Sequence, residues 1–180
     1  PTITAIPRMD KFLLLGGSDA GSFGEVYNYE KSYARWTMVN SDGKIPAARS
    51  HFASQLVDQN LFVFGGLGGG RTLNDGHVLV VNSLRWSAVK IGGQPPPPRR
   101  DTAIALVEDE EGTRMYIFGG YDGQQPLNDV YALVTMTWSQ HGATEGAPPP
   151  RVGHTVTVVR NRLYVIGGAS RGVAYNDVRF

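Results

Sequence analysis

LFVFGGLGGGRTLND, running from Leu61 to Asp75, decides how the chain is read. An apolar run ends in a glycine-rich loop. From Gly65 to Thr72 that loop departs from a phosphate-cradling P-loop at one position, Arg71 in place of lysine. Three observations argue against a nucleotide site. A P-loop opens a helix whose N-terminus completes the anion site, whereas Leu73 to Val81 has no helical period and reads as a turn followed by a strand. Arginine presents a planar fork where the P-loop uses a compact ammonium. The glycine pair also recurs elsewhere with unrelated continuations, SDAGSF, YDGQQP and ASRGVA.

Recurrence is the dominant pattern. FLLLGG, LFVFGG, MYIFGG and LYVIGG place their first glycines at 16, 65, 119 and 167, so the spacings are 49, 54 and 48 residues. Trp36, Trp86 and Trp138 keep the same beat, 50 and 52 residues apart. Leu73-Asn74-Asp75, Leu127-Asn128-Asp129 and Tyr175-Asn176-Asp177 follow the glycine loops. PAARSH, PPPPRRDT and PPPRVGH precede the apolar runs. Four columns in step define a repeat of about 50 residues.

One period reads as four short strands: Thr102 to Val107, Met115 to Gly119, Asp129 to Val134, and a fourth opening near Thr137-Trp138. The second strand shows little alternation, so both of its faces are covered. Sheets stacked around an axis provide that cover. The repeated tryptophans are expected to pack blade against blade.

At the GlyGly pairs, the Asn-Asp steps, the Tyr131-type aromatic and the spaced tryptophans, the chain resembles the kelch-repeat family. The resemblance covers essentially all 180 residues. It implies an all-β propeller built of four-stranded blades. Blade 1 departs from the pattern with Phe23-Gly24-Glu25-Val26-Tyr27 in place of Asn-Asp, and blade 2 has His77 where blade 3 has Tyr131. The expected blades cover residues 1–45, 46–95, 96–148 and 149–180, the last incomplete. Three blades and part of a fourth make a partial ring, expected to be a segment of a longer chain or complex, with sheet faces exposed at both ends.

Composition narrows the function. A net charge of +1 argues against general nucleic-acid affinity. No stretch approaches the 18 apolar residues of a membrane span. The absence of cysteine removes disulfide and thiolate chemistry, including the modified-Cys copper centre of kelch-type oxidases. His51, His77, His141 and His154 show no metal spacing. No metal or cofactor is expected. Without cysteine, and with no N-x-[ST] sequon, the expected compartment is the cytoplasm. The acidic run Glu108 to Glu111 reads as a solvated hairpin tip, and the proline tracts as stiff linkers.

In an up-and-down blade, the linker into the first strand emerges on the same side as the loop between the second and third strands. Arg49, Arg99, Arg100, Arg151, Arg71 and Arg171 therefore share one face, diluted by Asp42, Asp101, Asp122 and Glu145. Two readings of Arg49 and Arg151 stand open: they hold loops by bonding backbone carbonyls, or they meet an acidic partner, as arginines do in some kelch adaptors. Arg71 and Arg171 are expected at loop tips, and Tyr121 is an expected aromatic anchor beside Asp122. The resemblance implies a non-catalytic scaffold or adaptor that binds a protein partner, an acidic segment among the candidates. A structural subunit of a cytoskeletal or ciliary assembly, and an enzyme whose site lies in other blades, are the alternatives.

Overall fold

The computed structural model describes residues 2–6, 9–18, 22–110, 112–142, 146–160 and 162–180. Glu111 and Glu145, counted above among the acids, lie outside them. Blade 1 is an antiparallel sheet of β1 (Thr2–Ile6), β2 (Lys11–Ser18), β3 (Ser22–Glu30) and β4 (Arg35–Val39). The next element is β5 (Asp42–Gly43). Blade 2 follows with β6 (Ala53–Val57), β7 (Asn60–Gly68), β8 (Arg71–Val80) and β9 (Arg85–Val89). After β10 (Gly92–Gly93), blade 3 repeats the order with β11 (Ala103–Asp109), β12 (Gly112–Tyr121), β13 (Pro126–Val134) and β14 (Thr137–His141). Blade 4 has β15 (Thr155–Val159), β16 (Arg162–Ile166) and β19 (Val178–Arg179), with a small hairpin of β17 (Ala169–Ser170) and β18 (Val173–Ala174). The expected kelch-type propeller architecture is present.

Two short strands add to the four expected per blade. β5 pairs in parallel with β9, and β10 pairs in parallel with β14. The chain leaving one blade thus hydrogen-bonds to the outer edge of the next, so sheet 2 begins at Asp42 and sheet 3 at Gly92, ahead of the expected boundaries at 46 and 96.

The core lies between the sheets. Leu13, Leu15 and Val26 of blade 1 cluster with Leu61, Val63, Leu79 and Trp86 of blade 2. Phe62 and Phe64 of blade 2 cluster with Met115, Ile117, Leu133 and Trp138 of blade 3. Trp138 lies on Phe64 with ring centroids 5.2 Å apart. The expected packing holds for Trp86 and Trp138 and fails for Trp36, which is 45% exposed. Among the described residues no sheet lies on that side of blade 1, and Trp36 packs on Tyr29 of its own sheet, with ring centroids 4.9 Å apart.

The glycines of the opening stretch divide into two sets. Gly69 and Gly70 both have positive φ, 57° and 77°, and join β7 to β8 in the tight primed-type turn that hairpins favour. A Cβ there would meet nothing within 4 Å. Gly65 and Gly66 sit at the register break of β7, where the linkers press closest. A Cβ on Gly65 would lie 2.7 Å from the Arg99 carbonyl oxygen, and one on Gly66 would lie 2.6 Å from that of Ser50.

Candidate functional site

The linkers and the β-hairpin loops meet on one face, as the topology requires. The Arg49 carbonyl accepts from the Gly17 N–H at 3.2 Å, Arg99 from Gly66 at 2.9 Å, and Arg151 from Gly120 at 3.0 Å. The side chains of these three arginines turn inward. They are 3%, 0% and 0% exposed. The Arg99 Nη1 and Nη2 donate to both oxygens of Asp129 at 2.7 and 2.9 Å. Nη1 also reaches the Gly119 carbonyl at 3.1 Å, and Nε the Pro97 carbonyl at 3.2 Å. Arg49 repeats the pattern on Asp75, Gly65 and Ala47, and Arg151 on Asp177, Gly167 and Pro149.

The expectation that Arg49, Arg99 and Arg151 meet a partner is therefore corrected. Their donors are committed within the fold, and the carbonyl-bonding reading is the one the geometry adopts. Sequence reasoning missed their carboxylate partners, the aspartates of the Asn-Asp steps. The adjacent asparagines grip the following linker: Asn74 Nδ2 donates to the Pro96 carbonyl at 3.5 Å and Asn128 Nδ2 to that of Pro148 at 3.4 Å. The Asn-Asp steps of blades 2 and 3 thus tie together the linkers on both sides of their blades.

Charge follows the pairing. Burial works to raise the Asp75 carboxyl, but hydrogen bonds from Arg49 and His77 outweigh it and hold the group well below the usual carboxylate range. The Arg151 and Arg179 hydrogen bonds hold Asp177 low in the same way. His154 Nε2 donates to the Phe118 carbonyl oxygen at 3.1 Å, since a carbonyl can only accept. Burial lowers its pKa from 6.5 to about 4.

The remaining expected site residues stay at the surface. Arg71 and Arg171 are exposed, and Arg171 occupies a left-handed turn position at φ 47°. Neither has a charged partner among the described residues. Arg100 is half-buried, paired with Asp101, and its guanidinium lies over the Tyr121 ring at 4.6 Å. The two residues also exchange backbone hydrogen bonds, at 3.0 and 2.8 Å. The Asp122 carboxylate accepts from the Gln125 and Gln124 amides at 2.8 and 2.7 Å, bonds that lower its pKa and fix the loop. The Thr72 hydroxyl donates to the Asp122 carbonyl at 3.2 Å, docking the loop that carries Arg71 on the loop that carries Tyr121.

Arg100, Tyr121, Gln124, Gln125, Pro126, Val152 and Arg171 line an open depression of about 400 Å³. A second depression of about 320 Å³ shares Gln125, Pro126 and Arg171 and extends to Pro150 and Ser170. The fold therefore brings together Arg100, Tyr121 and Arg171 of the expected set. Asp122 follows Tyr121 in the same loop, Arg71 lies at the loop docked on it through Thr72, and Arg49, Arg99 and Arg151 are buried. Val152 went unread, and Pro150 was read only as part of a stiff linker. Their one clue is adjacency to the Arg151 column. Among the described residues no three His, Asp or Glu side chains gather as a metal set. Among the described residues no helix is long and apolar enough to cross a membrane.

Known proteins are similar to this chain in sequence. A model described as the KLHDC2/KLHL20/DRC7 Kelch-repeats domain matches residues 2–110 and 105–180. Acyl-CoA-binding domain-containing protein 5 of Arabidopsis thaliana is 32% identical over 91% of this chain and 26% of its own length. The Rab9 effector protein with kelch motifs is 31% identical in Xenopus laevis and 32% in Bos taurus. Each match spans 93% of this chain, and 47% and 46% of those proteins. The chain spans about half the length of these Rab9 effectors, and about a quarter of the plant protein.

Proposed function

Because the chain belongs to the kelch-repeat family, we propose that it is a protein-interaction module whose loop face binds a partner through an acidic segment. One observation carries this reading. Arg100 and Arg171 line, with Tyr121, an open depression whose other polar side chains, Gln124 and Gln125, are neutral. An aromatic ring and two guanidinium groups in one depression suit a carboxylate-bearing chain with an apolar or aromatic residue beside it. Arg71, one residue from the Thr72 bond to Asp122, extends the positive rim. The animal relatives are named as effectors of Rab9, which supports a protein as the class of partner.

The test is a labelled peptide rich in Glu and Asp with one central tyrosine, titrated by fluorescence anisotropy. Saturable binding that weakens with added salt is expected. A basic peptide of equal length should not bind. Arg71→Glu with Arg171→Glu should abolish acidic-peptide binding while leaving stability within about 0.5 kcal/mol, the usual range for exposed sites. Binding unaffected by the double change would reject the loop face as the site.

A further inference from the structure

The repeat makes the junctions between blades comparable position by position. Leu13 pairs with Asn28 across β2 and β3, as Phe62 pairs with Val78 across β7 and β8. The next residue of each third strand, Tyr29 or Leu79, pairs with the tryptophan of its own blade. Phe62 and Val78 both join the apolar cluster between blades 2 and 3. Between blades 1 and 2 the same two places hold a smaller side chain and a polar one. A cavity of about 260 Å³ opens there, walled in part by Leu13, Val81 and Leu84 and by Asn28, Lys11 and Glu30. Both of its blades have all four strands. It lies at the Lys11–Glu30 end of β2 and β3, away from the loop face, where Ser18 pairs with Ser22.

Asn28 is 7% exposed, yet its Oδ1 has no hydrogen-bond partner. The other end of the amide is fixed: Nδ2 donates to Glu30 Oε1 at 3.1 Å. Turning the amide over would set two oxygens against each other, so the orphan is an acceptor. A buried acceptor left unpaired is destabilising. Blades 2 and 3 avoid it with Val78 and Ala132 in this column. Lys11 Nζ lies 3.6 Å from the same Glu30 Oε1, so an ammonium stands close to the amide. The Lys11–Glu30 pair is neutral in sum. The cavity thus offers one buried acceptor, one cationic donor at its rim and apolar walls.

We propose that the cleft between blades 1 and 2 binds a small neutral molecule carrying a primary carboxamide on an apolar body. The carboxamide N–H donates to Asn28 Oδ1, and its carbonyl oxygen accepts from Lys11 Nζ. The apolar body lies against Leu13, Val81 and Leu84. A cation would meet Lys11, and an anion Glu30, as a like charge. The glutamine side chain of a polypeptide carries the same group, but it would bring polar backbone against apolar walls. The cleft and the arginine-lined loop face lie at opposite ends of the blades, so either site can fail without the other.

Benzamide is the probe, and acetophenone is the isostere that keeps the ring and carbonyl but lacks the N–H donor. Each is titrated into the protein and followed by NMR shifts, the Asn28 side-chain amide among them. Saturable benzamide binding is expected, with a Kd of about 1 mM or tighter for so small a ligand. Acetophenone should bind about 10-fold more weakly, the worth of one buried hydrogen bond. Asn28→Val should erase the difference between the probes, and Leu13→Phe should abolish binding of both. Each change installs a residue of the kind blade 2 has at that place, so both variants should keep a cooperative melt. A peptide of sequence SGQGS should bind more weakly than benzamide. Tighter peptide binding would assign the cleft to a protein side chain and overturn the small-molecule proposal. Equal affinity of the protein for the two probes, no saturable binding of either, or binding that survives Leu13→Phe overturns it as well.

Discussion

Arg99 grips Asp129 with two parallel hydrogen bonds of 2.7 and 2.9 Å while its guanidinium is wholly removed from water. Breaking such a pair from one side strands the other charge. Arg99→Ala is expected to lose about 3–5 kcal/mol of unfolding free energy by urea titration. Asp129→Ala should lose a similar amount. The double variant should lose far less than the sum, since neither charge is then left unpaired.

Acid should destabilise the chain in two stages. His154 has its folded pKa lowered from 6.5 to about 4, so the unfolded state takes up the proton first. Stability is full above pH 6.5 and falls as pH drops towards 4, by about 3 kcal/mol at most. Asp75 and Asp177 are also lowered, so their contribution is present above the ordinary aspartate value of 3.8 and is lost as pH falls below it. A His154→Gln variant should flatten the profile between pH 6.5 and 4 and keep the loss below it. Denaturation midpoints at stepped pH measure both.

The two sets of glycines should respond differently to substitution. Gly66→Ala puts a Cβ 2.6 Å from the Ser50 carbonyl oxygen at φ 102°, and should cost about 2–4 kcal/mol. Gly70→Asn faces open space in a left-handed turn that asparagine tolerates, and should cost under about 1 kcal/mol. Equal losses would mean that turn geometry, and not the approach of the linker, sets the requirement at 66.

Tryptophans of one sequence column should differ in weight. Trp138→Ala removes a side chain buried on Phe64 and should cost about 3–5 kcal/mol. Trp36→Ala removes one that is 45% exposed, and should cost under about 1 kcal/mol. Thermal melts of the two variants decide the matter.

The blades were legible because a propeller writes its geometry as a period. GlyGly marks where strand and linker touch, and tryptophan marks where sheet meets sheet. Both are local events that recur at a fixed interval. The arginine columns were visible for the same reason, but their role was not. Residue type alone does not say whether a guanidinium faces water or a carboxylate 26 residues further on, as Arg49 faces Asp75. The clue lay in two columns keeping one beat, Arg49, Arg99 and Arg151 with Asp75, Asp129 and Asp177. The strands β5 and β10 left no trace, since two residues carry no periodicity. Arg100, Tyr121 and Arg171 were each readable at a loop, but their convergence comes from the stagger of neighbouring blades.

The parallel pairing of β5 with β9 and of β10 with β14 bears on synthesis. A ribosome releases Asp42–Gly43 before it has made Arg85–Val89. Each outer strand therefore emerges to find its guard already waiting, tethered to the blade before it. The interval in which a finished edge stands open to a neighbouring nascent chain is shortened for blades 2 and 3.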